Sequence, residues 1–253
     1  MQIKGRTVVI TGGGRGLGRA MALEFATRGG QIALIDLNVA DLEETRRLCA
    51  EHGVTARTYT CDVTGEAAVT ATMDAIVRDF GSLDVLINNA GIIKDGLLIK
   101  VKDGKVVGKM GLDQWNAVIG VNLTAVFLCA REAAERMIGI GRGGVIINIS
   151  SISKDGNLGQ TNYSAAKAGV ASMATVWAKE LARYGIRVGA IAPGFCATDI
   201  LASMSPETLA KVTAPVPLKR LGQPSEIAHT AVFIVENDFF SGRTVAVDGG
   251  LRL

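Results

Sequence analysis

Histidine is almost missing from this chain. His52 and His229 are the only two in 253 residues, and neither has a partner at metal-ligand spacing. That argues against a histidine-based catalytic triad and gives no reason to expect a metal site. Cysteine is sparse and scattered at Cys49, Cys61, Cys129 and Cys196, with no Cys-x-x-Cys pair. Free, buried thiols in a reducing compartment are expected rather than disulfides. A strong charge of either sign is lacking too: 27 basic against 24 acidic residues leave +3, too balanced for a nucleic-acid binder. No apolar run approaches the roughly 20 residues that span a bilayer. The N-terminus has neither the apolar core nor the small-residue cleavage site of a secretory leader. No linker, repeat or low-complexity stretch divides the chain. The expectation is one domain over residues 1–253, cytoplasmic, with no nucleic-acid or membrane partner.

What is abundant is glycine, 31 residues, in a chain 48% hydrophobic. Short β-rich runs at 7–11, 32–36, 54–60, 83–88, 144–150, 186–192 and 243–248 alternate with helical stretches near 16–29, 39–52, 66–80, 112–139, 161–184 and 224–236. Seven strands joined by helical crossovers predict an α/β fold, a doubly wound Rossmann sheet of parallel strands with helices on both faces. In such a sheet a ligand sits beyond the strand C-termini at the point where strand order reverses.

The first strand runs directly into TGGGRGLG at 11–18. Gly12, Gly16 and Gly18 give a TGxxxGxG spacing rather than the usual GxGxxG, with Arg15 and Leu17 inside it. Glycines allow the backbone to approach a ligand closely, and the helix that follows offers free N–H groups to a pyrophosphate. Asp36 ends the second strand, where a carboxylate can accept bonds from an adenosine ribose and would repel the extra phosphate of NADP. NAD(H) is therefore favoured. NADP(H) is the alternative, because Arg15 could pair with that phosphate. The plainer reading makes Asp36 a turn residue and Arg15 a solvated one.

In NYSAAKAG, 162–169, Tyr163 and Lys167 stand four positions apart in an alanine-rich run, which stacks phenol and ammonium on one helix face. On a solvated face the pair would do nothing. A nearby cation that lowers the phenol's pKa would make it a general acid or base.

TGGGRGLG, NNAG at 88–91, Asn122 in VNL, the serines of ISS at 149–151, NYSAAK and APG at 192–194 occur in order along essentially the whole chain. Together they resemble the short-chain dehydrogenase/reductase family, and within it the 3-oxoacyl-[acyl-carrier-protein] reductases. The resemblance implies that Tyr163 exchanges the proton with the carbonyl oxygen, and that Lys167 lowers its pKa and bonds the nicotinamide ribose. It also implies that a serine polarises the carbonyl and that Asn122 helps to hold a relay water. Asn89, Ala90 and Gly91 would lie along the cofactor, Asp62 and Val63 at the adenine, and Pro193, Gly194 and Thr198 near the nicotinamide. Ser150 lies 13 residues before Tyr163, the commoner family spacing, whereas matching the strand end selects Ser151. Ser151 is preferred, because a one-residue slip along a strand reverses which face a side chain takes.

Two departures bear on substrate. LLIKVKDGKVVGKM, 97–110, is longer than the family's usual loop and reads as a lysine-rich β-hairpin around Asp103-Gly104. It is either a solvated ribbon or a basic lip for an anionic thioester. Of the two arginines with which the resemblance implies an acyl carrier protein is docked, Arg142 matches the first, but Tyr184 occupies the second position, with Arg183 adjacent. The expected function is interconversion of a ketone and a secondary alcohol, foremost a 3-oxoacyl thioester on coenzyme A or a carrier protein. The alternatives are an NAD-dependent catabolic alcohol, polyol or sugar dehydrogenase and, less well supported, a non-catalytic dinucleotide sensor. The resemblance also implies a homotetramer built on the helices near 112–139 and 161–184, with specificity in the segment 195–215.

Overall fold

The computed structural model describes residues 1–198 and 205–253. Its seven-stranded sheet consists of β1 (Thr7–Thr11), β2 (Gln31–Asp36), β3 (Ala56–Thr60), β4 (Val85–Asn88), β7 (Gly144–Ile149), β8 (Ile186–Pro193) and β9 (Thr244–Val247). All pairings are parallel, in the order β3-β2-β1-β4-β7-β8-β9. This is the doubly wound fold expected from the sequence. Strand order reverses between β1 and β4, so the cleft forms at their C-terminal ends.

Alternation along the strands explains both layers. Val8 and Ile10 face one side with Ile32, Leu34, Val85, Ile87, Val145 and Ile147, under α1 (Gly16–Thr27), α2 (Val39–Ala50) and the C-terminal helix Pro224–Glu236. Val9 faces the other with Ala33, Leu86, Ile146 and Val188, under α3 (Glu66–Phe80), α5 (Ala125–Ile140) and α6 (Thr161–Leu181). Every residue of β1, β4 and β7 is buried, which is why these strands read as continuous apolar runs. Cys49, Cys61, Cys129 and Cys196 are free and buried.

The helical region near 112–139 is not one regular helix. Leu112–Ile119 (α4) passes into a π-helical turn, Gly120–Thr124, before α5 begins. The run Leu112–Ile140 is also long and apolar enough to cross a bilayer by length and composition, which corrects the expectation that no stretch would be. Its most apolar window is 56% buried, packed on the sheet as a core helix. Helix Pro206–Thr213 (α7) was not anticipated, and the segment 195–215 lies partly outside the described residues.

Residues Ile99–Lys102 (β5) and Lys105–Lys109 (β6) form a separate two-stranded antiparallel sheet. Asp103 and Gly104 join them with φ of 50° and 71°, the left-handed pair of a type I′ turn.

Candidate active site

The glycine turn is shaped by close approach. A Cβ on Gly18 would lie 2.0 Å from the carbonyl oxygen of Gly12, and one on Gly12 would lie 2.9 Å from Cα of Ala90. Arg19 and Thr45 fix the turn from beneath, donating to the Gly14 carbonyl at 2.8 and 2.7 Å. Sequence reading missed both, because a buried threonine 31 residues away carries no local motif. Thr11 Oγ1 accepts from the backbone N–H groups of Asn89 and Ala90 at 3.0 and 3.1 Å. Asn89 Nδ2 donates to Thr11 O and Gly12 O at 3.1 and 3.0 Å. The NNAG segment is thereby fastened to the end of β1.

Between these segments lies a cleft of about 530 Å³. Its walls include Gly12, Arg15, Gly16, Leu17, Asp36, Asp62, Val63, Asn89, Ala90, Gly91 and Thr198. Ile35, Leu37, Asn38 and Cys61 at the ends of β2 and β3, Ile92 beyond β4 and Val121 in the π-helical turn also line it. Gly18 is buried behind the turn, a packing position rather than a wall. Asp36 Oδ2 accepts from the Gly14 N–H at 3.1 Å and Oδ1 from the Leu37 N–H at 2.7 Å, so the carboxylate both closes the turn and faces the cleft. Leu37 beside it is 65% exposed and supplies no cation. The Thr64 backbone and hydroxyl hydrogen-bond Asp62, which holds its carboxyl below the usual range. Pro193 ends β8, and a Cβ on Gly194 would meet Cα of Asp248 at 2.7 Å. This cradle fits a dinucleotide: a ligand's pyrophosphate can meet bare backbone, and a carboxylate waits at the ribose end.

The second cluster adjoins the cleft. Asn122 is fully buried within the π-helical turn. Its Oδ1 accepts from the Ile92 N–H at 2.8 Å and its Nδ2 donates to Ile92 O at 2.9 Å. The side chain therefore clamps the cleft wall to the helix. Ser150 is buried and donates to the Lys167 carbonyl at 2.7 Å. The Ser151 hydroxyl accepts from the Ser153 N–H at 3.1 Å and sits beside the Tyr163 phenol, where its hydrogen bond lowers the phenol's pKa. The strand's alternation thus directs the two serines oppositely.

Lys167 donates from Nζ to the Ile149 carbonyl at 2.7 Å and lies 5.6 Å from the Tyr163 ring centroid. Burial lowers its pKa to about 8. The same burial raises Tyr163, and the carboxylate of Asp95 adds to the rise. The expectation that the cation would hold the phenol low is corrected here: desolvation raises it, because a buried site disfavours phenolate, and the lowering contribution comes from Ser151. Asp95 is itself fixed by Gln160, whose Nε2 donates to Oδ2 at 2.9 Å.

A family model described as enoyl-(acyl carrier protein) reductase matches residues 12–252. The 3-oxoacyl-[acyl-carrier-protein] reductase FabG of Thermotoga maritima is 35% identical, covering 99% of both chains. That of Staphylococcus aureus is 37% identical, covering 98% of both. The one from Escherichia coli K12 is 34% identical over the full length of each. Among solved structures, a 7α-hydroxysteroid dehydrogenase complexed with NADH and 7-oxo glycochenodeoxycholic acid superposes with a TM-score of 0.90 at 30% identity, covering 99% of this chain and 96% of that one.

Proposed function

This chain belongs to the short-chain dehydrogenase/reductase family, and on that footing we propose that it reduces 3-oxoacyl thioesters to 3-hydroxyacyl thioesters with NADH. As a member it is an oxidoreductase that interconverts a CH–OH group and a ketone with a nicotinamide cofactor. The thioester is the finer reading. The observation that carries it is the pairing of Ser151 with the Tyr163 phenol on the helix that also carries Lys167, whose ammonium lies 5.6 Å from the Tyr163 ring centroid. Two hydroxyls directed together suit one carbonyl oxygen, which favours 3-oxoacyl reduction, as the curated relatives are named, over the enoyl reduction in the family model's description.

The cofactor supplies hydride at the carbonyl carbon. Tyr163 donates its proton to the carbonyl oxygen, and burial suits that role because it keeps the phenol protonated at neutral pH. Ser151 donates a hydrogen bond to the same oxygen. Lys167 carries the positive charge that stabilises the tyrosinate left behind, and Asn122 anchors the wall between cleft and catalytic helix. Gly12, Gly16 and the helix after them bind the pyrophosphate; Asp36, with Leu37 in place of a basic residue, supports NAD(H) over NADP(H).

The second reading, an NAD-dependent catabolic alcohol dehydrogenase, draws on the same Asp36 carboxylate. A homotetramer is supported by an apolar groove of about 420 Å³ on the outer helices, lined by Phe127, Ala134, Ile138, Trp177 and Leu181. A cytoplasmic location accords with four unpaired cysteines. Parallel initial rates on acetoacetyl-coenzyme A, an acetoacetyl carrier-protein thioester and a panel of secondary alcohols test the proposal. Turnover confined to the alcohols would replace it with the second reading.

A further inference from the structure

The chain's net charge is concentrated in one place. Residues 94–110 contain Lys94, Lys100, Lys102, Lys105 and Lys109 against Asp95 and Asp103, a surplus of three that equals the +3 of all 253 residues. The body of the protein is electrically balanced, and the hairpin is its cation. All five lysines are exposed, and none pairs with a carboxylate among the described residues.

Register sorts the hairpin into two faces. Lys102 stands directly opposite Lys105, and Lys100, two positions back along β5 and opposite Gly108 across a β-bulge, joins them along the same strand. Val101 opposite Val106, with Ile99, takes the other. Like charges directly opposite each other weaken a ribbon, and an isolated two-stranded ribbon is marginal to begin with. Three cations crowded on such a ribbon match an anion that a ligand brings.

The hairpin's root is bound to the start of the catalytic helix. The Gly96 N–H donates to Gly159 O at 2.8 Å. Asn162, the residue before Tyr163, donates to Lys94 O at 3.1 Å, and Gln114 Nε2 to Lys94 O and Asp95 O at 2.8 and 3.0 Å. From Leu98 to the turn at Asp103 the five steps of strand reach roughly 16 Å at about 3.3 Å per residue. That is the scale of the pantetheine arm that separates a thioester from the phosphates of coenzyme A.

Resting on the thioester reading above, we propose that Lys100, Lys102 and Lys105 form a docking face for the phosphates of coenzyme A, so that the acyl group reaches Tyr163 as a coenzyme A thioester. Opposed side chains on a ribbon stand about 5 Å apart and diagonal ones about 7–8 Å. That compact spacing suits the clustered phosphates of a nucleotide better than acidic side chains spread along a carrier-protein helix.

The test compares wild type with the triple variant Lys100→Gln, Lys102→Gln, Lys105→Gln. Free coenzyme A binding is measured by calorimetry at low and high salt, alongside kcat/KM for acetoacetyl-coenzyme A, the acetoacetyl carrier-protein thioester and the uncharged acetoacetyl-N-acetylcysteamine. Coenzyme A binding and kcat/KM for its thioester should fall about tenfold or more in the variant, with kcat little changed, and the loss should shrink as salt rises. The uncharged thioester should be unaffected, and arginine at the three positions should restore binding. Equal coenzyme A binding by both proteins, or a loss confined to the carrier-protein thioester, overturns the docking face. Lysine-dependent coenzyme A binding without turnover of any thioester would leave the docking face standing and sink the substrate reading instead.

Discussion

Ser150 donates its hydroxyl to the backbone carbonyl of Lys167 at 2.7 Å, so it faces the body of the catalytic helix and away from the reaction. Ser151, one residue on, faces Tyr163. Ser151→Ala should therefore reduce kcat by about 10²-fold or more, the usual effect of removing one oxyanion donor. Ser150→Ala should leave kcat near wild type and cost about 1 kcal/mol of stability through the lost hydrogen bond. Steady-state rates with thermal melts separate the two, and the reverse pattern would reassign the serines.

The proposed NAD(H) preference rests on the charge of Asp36, which lines the cleft. Asp36→Asn keeps an acceptor for the Leu37 N–H while removing the negative charge that opposes a 2′-phosphate. The ratio of kcat/KM for NADH to that for NADPH should favour NADH in wild type and narrow about tenfold in the variant, a change of about 1.4 kcal/mol. A wild-type preference for NADPH would show that Arg15 outweighs the carboxylate.

Lys167 should set the alkaline limit of reduction. Burial lowers its ammonium from 10.5 to about 8, so the charge that stabilises tyrosinate is lost as pH rises through that value, and the reductive rate should fall with it. The stability linkage has the opposite sign. Below about 8 the fold bears a buried ammonium; above it the unfolded chain holds more protons, so this group's contribution improves up to about 10.4. Melting temperatures of wild type and Lys167→Met compared across that interval should diverge in favour of wild type. A constant difference would contradict the assignment.

Assembly is testable separately. Phe127 and Ile138 are 42% and 39% exposed at the mouth of the outer-helix groove. Light scattering should give four chains per particle, and Phe127→Glu with Ile138→Glu should lower that number. A monomeric wild type at assay concentration would exclude the homotetramer.

The sheet was legible because its central strands are buried on both faces and therefore appear as largely apolar runs, as TVVIT and VIINI do. The glycine turn was legible because close approach leaves no chemical alternative at Gly18. The break at Gly120–Thr124 was not: one added residue in a helical turn scarcely disturbs apolar periodicity, yet it seats Asn122. Nor was the sign of the Tyr163 shift, since i, i+4 spacing reveals the neighbouring cation but not the burial that raises the phenol. Thr45 reaches the glycine turn through tertiary packing that no local pattern records.

The central claim is that Tyr163 delivers the proton. Tyr163→Phe removes one hydroxyl while preserving the ring over which Lys167 lies. Stopped-flow reduction of acetoacetyl-coenzyme A, with NADH affinity measured by fluorescence titration, tests it most directly. Loss of at least about 10²-fold in kcat with NADH binding within about twofold of wild type is the predicted result. Turnover near wild type in that variant would contradict the account.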